Sequence, residues 1–393
     1  MIIELHMLQN FAPSCLNRDD TNSPKECEFG GYRRARISSQ CIKRAIRWDG
    51  TFREVLKGHL SSRSLKFPNQ VYDKLLQLGV EQNINKEIGK GLEAIAKKEA
   101  SKQGGEDGKE EKDAKRDAKN QDSYELDIFK TPQMVFYTDD EVSECANQIK
   151  ALLDKGMKPA EILKKDKKGK FVNLPVFPLP HSADIGLFGR MVTSTHFDNV
   201  DAACQVAHAI STHKVGVEFD FYTAMDDLKK PEEEPGAGMM GTVEFNSACF
   251  YRYANIDCAQ LKKNLGDDKE LAQKTVEAFI RAAVNAIPTG KQNSFAAQNP
   301  PSFVFAVART SGTWSLANAF ASPVWVGDNG DLVQKSTDVL LDYWGKLVKV
   351  YNDKDIKVKT AFALDSLEMK GLDDAANLEG LIDRVNQAIA ADC

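Results

Sequence analysis

At 393 residues with 42% hydrophobic side chains, the chain is long enough for one large domain or two ordinary ones and can bury a substantial core. Its 52 Lys and Arg against 57 Asp and Glu leave a net charge of -5, which excludes a protein that coats nucleic acid by overall charge; any polyanion must meet a local basic patch. No apolar run reaches the ~18 residues of a membrane span, and the start, MIIELHMLQNFAPS, carries no basic leader. A cytoplasmic protein without a membrane partner is expected.

Ile2 to Leu8 reads as the first strand, followed from Pro13 to Gly31 by a turn-rich loop holding Asn17, Asp19, Asp20, Asn22 and Pro24. From Tyr32 to Arg47, six basic residues (33, 34, 36, 43, 44, 47) meet no acidic one, a local +6 in a net-acidic chain. Ser38 or Ser39 can cap a helix running to about Arg47, with Ile42, Ala45 and Ile46 toward the core. Gln40, Lys43, Arg44 and Arg47 then share the other side. Lys43 and Arg47 are like charges four apart, a mildly unfavourable pair that a phosphate would relieve. The helix N-terminus adds partial positive charge, which suits a backbone phosphate near Ser38, Ser39 and Gln40. The competing reading is a solvated face paired with acidic neighbours.

Residues 49–182 change character, with mixed helical periodicity interrupted from Lys97 to Ser123 by eight basic and eight acidic residues and almost nothing apolar. Such a segment cannot bury enough surface to offset its ordering entropy, and a disordered loop or a solvated helix is expected. A second charged stretch, Lys164 to Lys170, precedes Pro175, Pro178 and Pro180.

Globular patterning resumes with the run Ile185 to Met191 and a helix expected through Val200, Ala203, Ala207 and Ile210. Two strands follow, one with Val215, Val217, Phe219 and Phe221 at period two, the other from about Thr242 to Ala254, joined by the Pro-, Gly- and Glu-rich stretch 229–241 that suits a mobile hairpin. Later stripes predict helices around 271–287, 339–347 and 378–389, and Ser302 to Ala308 reads as a buried strand.

No two of the eight cysteines stand in C-x-x-C spacing, and His208 and His213 would not share a helix face, so no metal site is expected and the thiols read as reduced and mostly buried. Residues 236–241 match G-x-G-x-x-G but follow a Pro-Glu stretch and precede a strand, the reverse of a dinucleotide site. Asp19 and Asp20 have two readings, a divalent-ion site against a phosphate or turn-forming residues that bond their own backbone. Met191 and Phe221-Tyr222-Thr223 likewise read as base-contacting residues or as core, since aromatic residues at period two ordinarily pack inward.

Several motifs, in order, resemble the CasC family, the backbone subunit of the type I-E CRISPR Cascade surveillance complex. They are Ser14-Cys-Leu-Asn-Arg-Asp-Asp20, Phe29-Gly-Gly31, Arg33-Arg-Ala-Arg-Ile-Ser-Ser-Gln40, Lys43-Arg-Ala45, Gly189-Arg-Met191, Ala207-His-Ala-Ile-Ser-Thr-His213, Tyr222-Thr-Ala224 with Asp226-Asp-Leu228, and Phe250-Tyr-Arg-Tyr-Ala-Asn-Ile256. The resemblance covers residues 1–48 and about 185–320. It implies an α+β fold: a modified RRM-like (ferredoxin-like) palm split into 1–48 and 183–393, a helical fingers insertion at 49–182, and a β-hairpin thumb at 214–245. It also implies a non-enzymatic protein without cofactor, oligomerising along the guide spacer and presenting it to target DNA in antiviral defence. Its partners would be CRISPR RNA, target DNA, other copies of itself, and CasA, CasB, CasD and CasE. Carried over by position, Arg18, Lys25, Ser38, Gln40, Lys43, Arg44 and Arg47 would contact guide phosphates, and Met191, Tyr222 and Thr223 would act at a displaced base. Lys164, Lys165, Lys167 and Lys168 resemble finger lysines that attract duplex DNA. Tyr32 departs from the lysine that relatives can carry there. The alternative is a metal-dependent RNA-cleaving backbone subunit, as in type III effector complexes, with Asp19 or Asp20 at the cut.

Overall fold

The apolar alternation that begins at Ile2 continues past Leu8, and β1 spans Ile2–Ser14. The strand is covered on both sides, so Glu4, His6 and Gln9 are as buried as Leu5 and Met7. In the computed structural model, residues 1–96, 129–167, 169–177, 180–224, 227, 239–327, 330–364 and 371–392 are described. The expectations for 97–123, for 229–238 and for Lys168 lie outside them. The fold divides into two units, residues 1–58 with 202–393 and residues 59–201, where the sequence reading puts the interruption at 49–182.

β2 (Glu26–Phe29) and β3 (Tyr32–Ile37) form a hairpin closed by Gly30 and Gly31. Both glycines have left-handed φ, +62° and +78°, as a two-residue turn of this kind requires, and a Cβ at Gly30 would collide with the Ala321 carbonyl. α1 (Ser39–Trp48) and α2 (Gly50–Val55) follow directly, the second capped by Asp49, which accepts from the Phe52 amide at 3.1 Å.

In the unit 59–201, β4 (Ser62–Ser64) pairs antiparallel with β5 (Val135–Tyr137) beside α3 (Phe67–Gln77), α4 (Gln82–Leu92) and α5 (Asp139–Asp154). Phe67, Phe177 and Phe197 pack edge to face and tilted at 4.9–5.8 Å between centroids at its centre. α5 opens on a capping box between Thr138 and Glu141. Further short helices are α6 (Pro159–Ile162) and α7 (Ala183–Phe188), the latter overlapping only the first part of the apolar run Ile185 to Met191.

The helix expected through Val200, Ala203, Ala207 and Ile210 is not formed. Instead β6 (Cys204–Val206) and β7 (Ala209–Ser211) pair with β9 (Met239–Asp257), Cys204 opposite Ile256 and Ile210 opposite Tyr251. Backbone bonding to a long neighbouring strand outweighs a spacing that only four apolar residues suggest. β8 (Glu218–Ala224) pairs with the first part of β9 as the expected hairpin. After α8 (Cys258–Asn264), α9 (Lys269–Asn285) and α10 (Gln292–Phe295) come β10 (Phe303–Arg309), α11 (Leu332–Tyr351), β11 (Ile356–Ala363), β12 (Asp373–Asp374) and α12 (Leu378–Asp392). The sheet order is β12-β11-β10-β1-β9-β7-β3-β2, with β6 and β8 also on β9, and all its pairings but β11–β12 are antiparallel. A mixed α/β architecture around one large sheet is thus present. No helix among the described residues is long and apolar enough to cross a membrane.

Candidate nucleic-acid interface

The six basic residues of the 32–47 stretch do not share one fate. Arg34 is buried and donates to the carbonyls of Ser211 (2.9 Å) and Phe320 (2.7 Å), so it ties β3 into the unit and cannot meet a ligand. That leaves five on the surface. Arg33 pairs with Glu26 at 2.9 Å but stays 70% exposed, a weak surface contact. Arg36 donates through Nε to the Glu26 carbonyl and through Nη1 to Nδ1 of His208 at 3.0 Å. An arginine has no acceptor, so His208 accepts here and is neutral. Burial, with Arg36 and Lys25 adding to it, holds the His208 pKa below its ordinary value.

α1 carries the rest. Ser38 is its N-cap, its hydroxyl accepting from the Cys41 amide at 3.3 Å. Ile42 and Ile46 are buried, as the spacing requires, while Gln40 and Arg44 are exposed and Lys43 and Arg47 half-buried. Ser38 itself is nearly buried, so its hydroxyl serves the helix and the contribution of this turn to an anion comes from its amides. Lys43 lies close enough to β6 that its charge acts on the Cys204 thiol, which burial pushes up to about 12.

The loop before β2 is laced to the same face. The Asn17 side chain accepts from the Ser38 amide (2.8 Å), its carbonyl accepts from the Lys25 amide (2.9 Å), and the Lys25 carbonyl accepts from the Arg36 amide (2.9 Å). Lys25 is thereby fixed beside Arg36 and His208. Arg18 is exposed and donates to Asn22 at 3.0 Å. Asp19 fits the turn reading: its Oδ1 accepts from the Thr21 hydroxyl and the amides of Thr21 and Ser23 at 2.8–3.0 Å, and these bonds hold its pKa below the usual carboxylate range. Among the described residues no three His, Cys, Asp or Glu side chains converge as a metal site would need.

Between this loop, α1 and the turn after α9 lies a cleft of about 580 Å³, lined among others by Arg18, Arg44 and Trp48. Trp48 follows Arg44 by one helical turn and is 60% exposed, an aromatic beside a cationic helix that a reading restricted to charge passes over.

The hairpin aromatics do not pack inward. Every residue of β8 is exposed, including Phe219 (70%) and Phe221 (63%), as are Met239 and Met240 on β9. The period-two rule for burial assumes a covering layer, which the described residues do not supply. Tyr222 and Thr223 lie on this ribbon, opposite Gly241 and Met240.

In the unit 59–201, Met191 is 93% exposed, while its neighbour Arg190 is buried. Lys164, Lys165 and Lys167 are exposed there, with Lys165 Nζ 4.7 Å from the centroid of Phe171.

The family model described as "CT1975-like protein" matches residues 3–386. A solved structure described as "CRISPR RNA-guided surveillance complex, pre-nicking" is similar over 99% of this chain and 100% of its own, at 27% identity and a TM-score of 0.80. Another, described as "CRISPR RNA-guided surveillance complex", has the same coverage at 24% identity and a TM-score of 0.61, which shows the shared fold. No curated protein matches.

Proposed function

The chain belongs to the CT1975-like protein family, and from that footing we propose that it is the CRISPR RNA-binding backbone subunit of a type I-E Cascade complex. It oligomerises along the guide spacer and presents the guide for pairing with target DNA, in the cytoplasm, together with CasA, CasB, CasD and CasE. The sheet-bearing unit is the palm of modified RRM-like kind, the unit 59–201 the fingers, and the β8–β9 hairpin the thumb.

The observation that carries this reading is the cationic face itself: Lys43, Arg44 and Arg47 on one helix, with Arg18 and Lys25 fixed beside it by the hydrogen bonds of the 17–25 loop. Such a face holds phosphates without reading bases, as a guide-independent backbone must. Ser38 and Gln40 place the amides of the first turn, and Met191, Tyr222 and Thr223 are exposed residues able to act at a displaced base. Lys164, Lys165, Lys167 and Lys168 draw duplex DNA to the fingers. The protein is not an enzyme in this reading. Of Asp19 and Asp20, the two aspartates the nuclease alternative would use, Asp19 already spends Oδ1 on three donors of its own turn.

Expression with and without a CRISPR array tests the proposal. A copurified RNA of one guide length and an elongated assembly on sizing should appear only with the array, whereas any RNA bound without it should be heterogeneous in length. A monomer free of nucleic acid in both cases would refute it. Regularly spaced fragments of complementary RNA after incubation with magnesium would favour the nuclease instead.

A further inference from the structure

We propose that the cleft between the 16–22 loop, α1 and the 285–290 turn takes one unstacked nucleotide of the bound strand, with Trp48 as its stacking surface. The inference rests on the RNA-binding reading above and adds a base contact to what is otherwise a phosphate-holding face. The cleft, at about 580 Å³, is of the size that holds a small ligand. Its construction is deliberate at the backbone level: Gly290 presses so closely on the carbonyls of Leu16 and Cys15 that no Cβ fits there, which fixes the turn after α9 against the loop.

The lining supplies the two kinds of group that a nucleotide uses. Trp48 offers an indole that is 60% exposed, and the Arg53 guanidinium stacks 4.7 Å from its centroid, which restrains the ring before any ligand arrives. Arg18 and Arg44 stand in the same cleft for the attached phosphate, and the side-chain amides of Asn17, Asn285 and Gln298 line it as donors and acceptors for a base edge. An apolar ligand would leave the guanidinium groups unused, and a bare phosphate would leave the indole unused. A base with its phosphate uses both, and stacking on an aromatic face is indifferent to which base it is.

The test compares an oligoadenylate RNA of about eight nucleotides with an abasic ribose-phosphate strand of equal length, at one fixed salt concentration, on the full chain. Wild type should prefer the adenylate strand. Trp48→Ala should cut that preference by about 5- to 150-fold, the stacking of one base, while leaving affinity for the abasic strand unchanged. Trp48→Phe should retain part of it. Because Trp48 is largely exposed, the melting temperature should not move, and measuring it identifies a folding artefact. Equal losses on both strands, or no loss on either, overturn the stacking role while the RNA-binding reading stands. Failure of wild type to bind either strand overturns that reading and the inference with it.

Discussion

Gly241 stands opposite Tyr222 in the β8–β9 register, and a methyl group at Gly241 would lie 2.6 Å from the Tyr222 hydroxyl. The tyrosine ring therefore lies across the glycine, an aromatic covering the bare backbone of its cross-strand neighbour. Gly241→Ala should drive the ring away at little cost to the fold, since what must yield is the far end of an exposed side chain. The expected outcome is a loss of RNA affinity equal to that of Tyr222→Ala, and no further loss when the two are combined. Additive losses would show that the glycine acts otherwise.

On α1, replacing Lys43 and Arg47 with Ala should weaken guide binding for all spacer sequences alike. It should also flatten the dependence of log affinity on log salt by about 0.7 for each phosphate the helix no longer neutralises. Arg34 serves as the contrast. Arg34→Ala removes the donor from the Ser211 and Phe320 carbonyls and leaves a void, so its signature is a fall in melting temperature, on the order of 3 kcal/mol in stability, rather than a changed salt slope. A sequence-selective loss in the helix variant would contradict the backbone reading.

The helix α1 was legible because a cap, two isoleucines at the right spacing and a charged outer face all agree. What charge counting cannot see is surroundings: Arg34 shares a strand face with Arg36, yet Arg34 is buried against the carbonyls of Ser211 and Phe320 while Arg36 stays accessible. Residues 203–210 misled for a related reason. Their apolar spacing suits a helix, but the partner that makes them strands, β9, lies some forty residues downstream in the register Ile210 to Tyr251. The cleft around Trp48 joins three segments, one of them more than two hundred residues from the other two, and only the folded chain brings them together.

His208 gives the cationic face a pH dependence. In the RNA-free protein its pKa is depressed, by burial first and then by Arg36 and Lys25, so it is neutral at neutral pH and accepts from Arg36. A phosphate bound beside these cations offsets their repulsion and raises that pKa, so binding takes up a proton. Affinity for RNA should therefore rise as pH falls from neutral into the acid range, with a salt slope steeper by about 0.7 at the acid end than at neutral pH. His208→Gln should remove both changes. A wild-type affinity independent of pH would exclude the linkage.

Met191 owes its place to the residue before it. Arg190 donates to Glu141 Oε1 at 2.7 Å, to the Asp198 carbonyl at 2.8 Å and to the Phe136 carbonyl at 3.2 Å, and neither side chain of the ion pair is more than 4% exposed. Glu141 is also the capping-box residue of α5, accepting from the Thr138 amide at 2.8 Å. Burial nonetheless pushes the Glu141 pKa up, against the opposing pull of Arg190. Arg190→Met strands that carboxylate and should cost about 3–5 kcal/mol near neutral pH. Without the guanidinium the Glu141 pKa rises further in the folded state, above its unfolded value. The folded variant then binds more protons than the unfolded chain, and its stability increases as pH falls through that raised pKa. The gap between wild type and variant should narrow as pH falls from neutral toward the ordinary carboxylate range, as read by denaturant midpoints. Adding Glu141→Gln, which keeps the capping box without the charge, should recover part of the loss at neutral pH and abolish the narrowing. A gap constant with pH would mean that lost packing, rather than the stranded carboxylate, sets the cost.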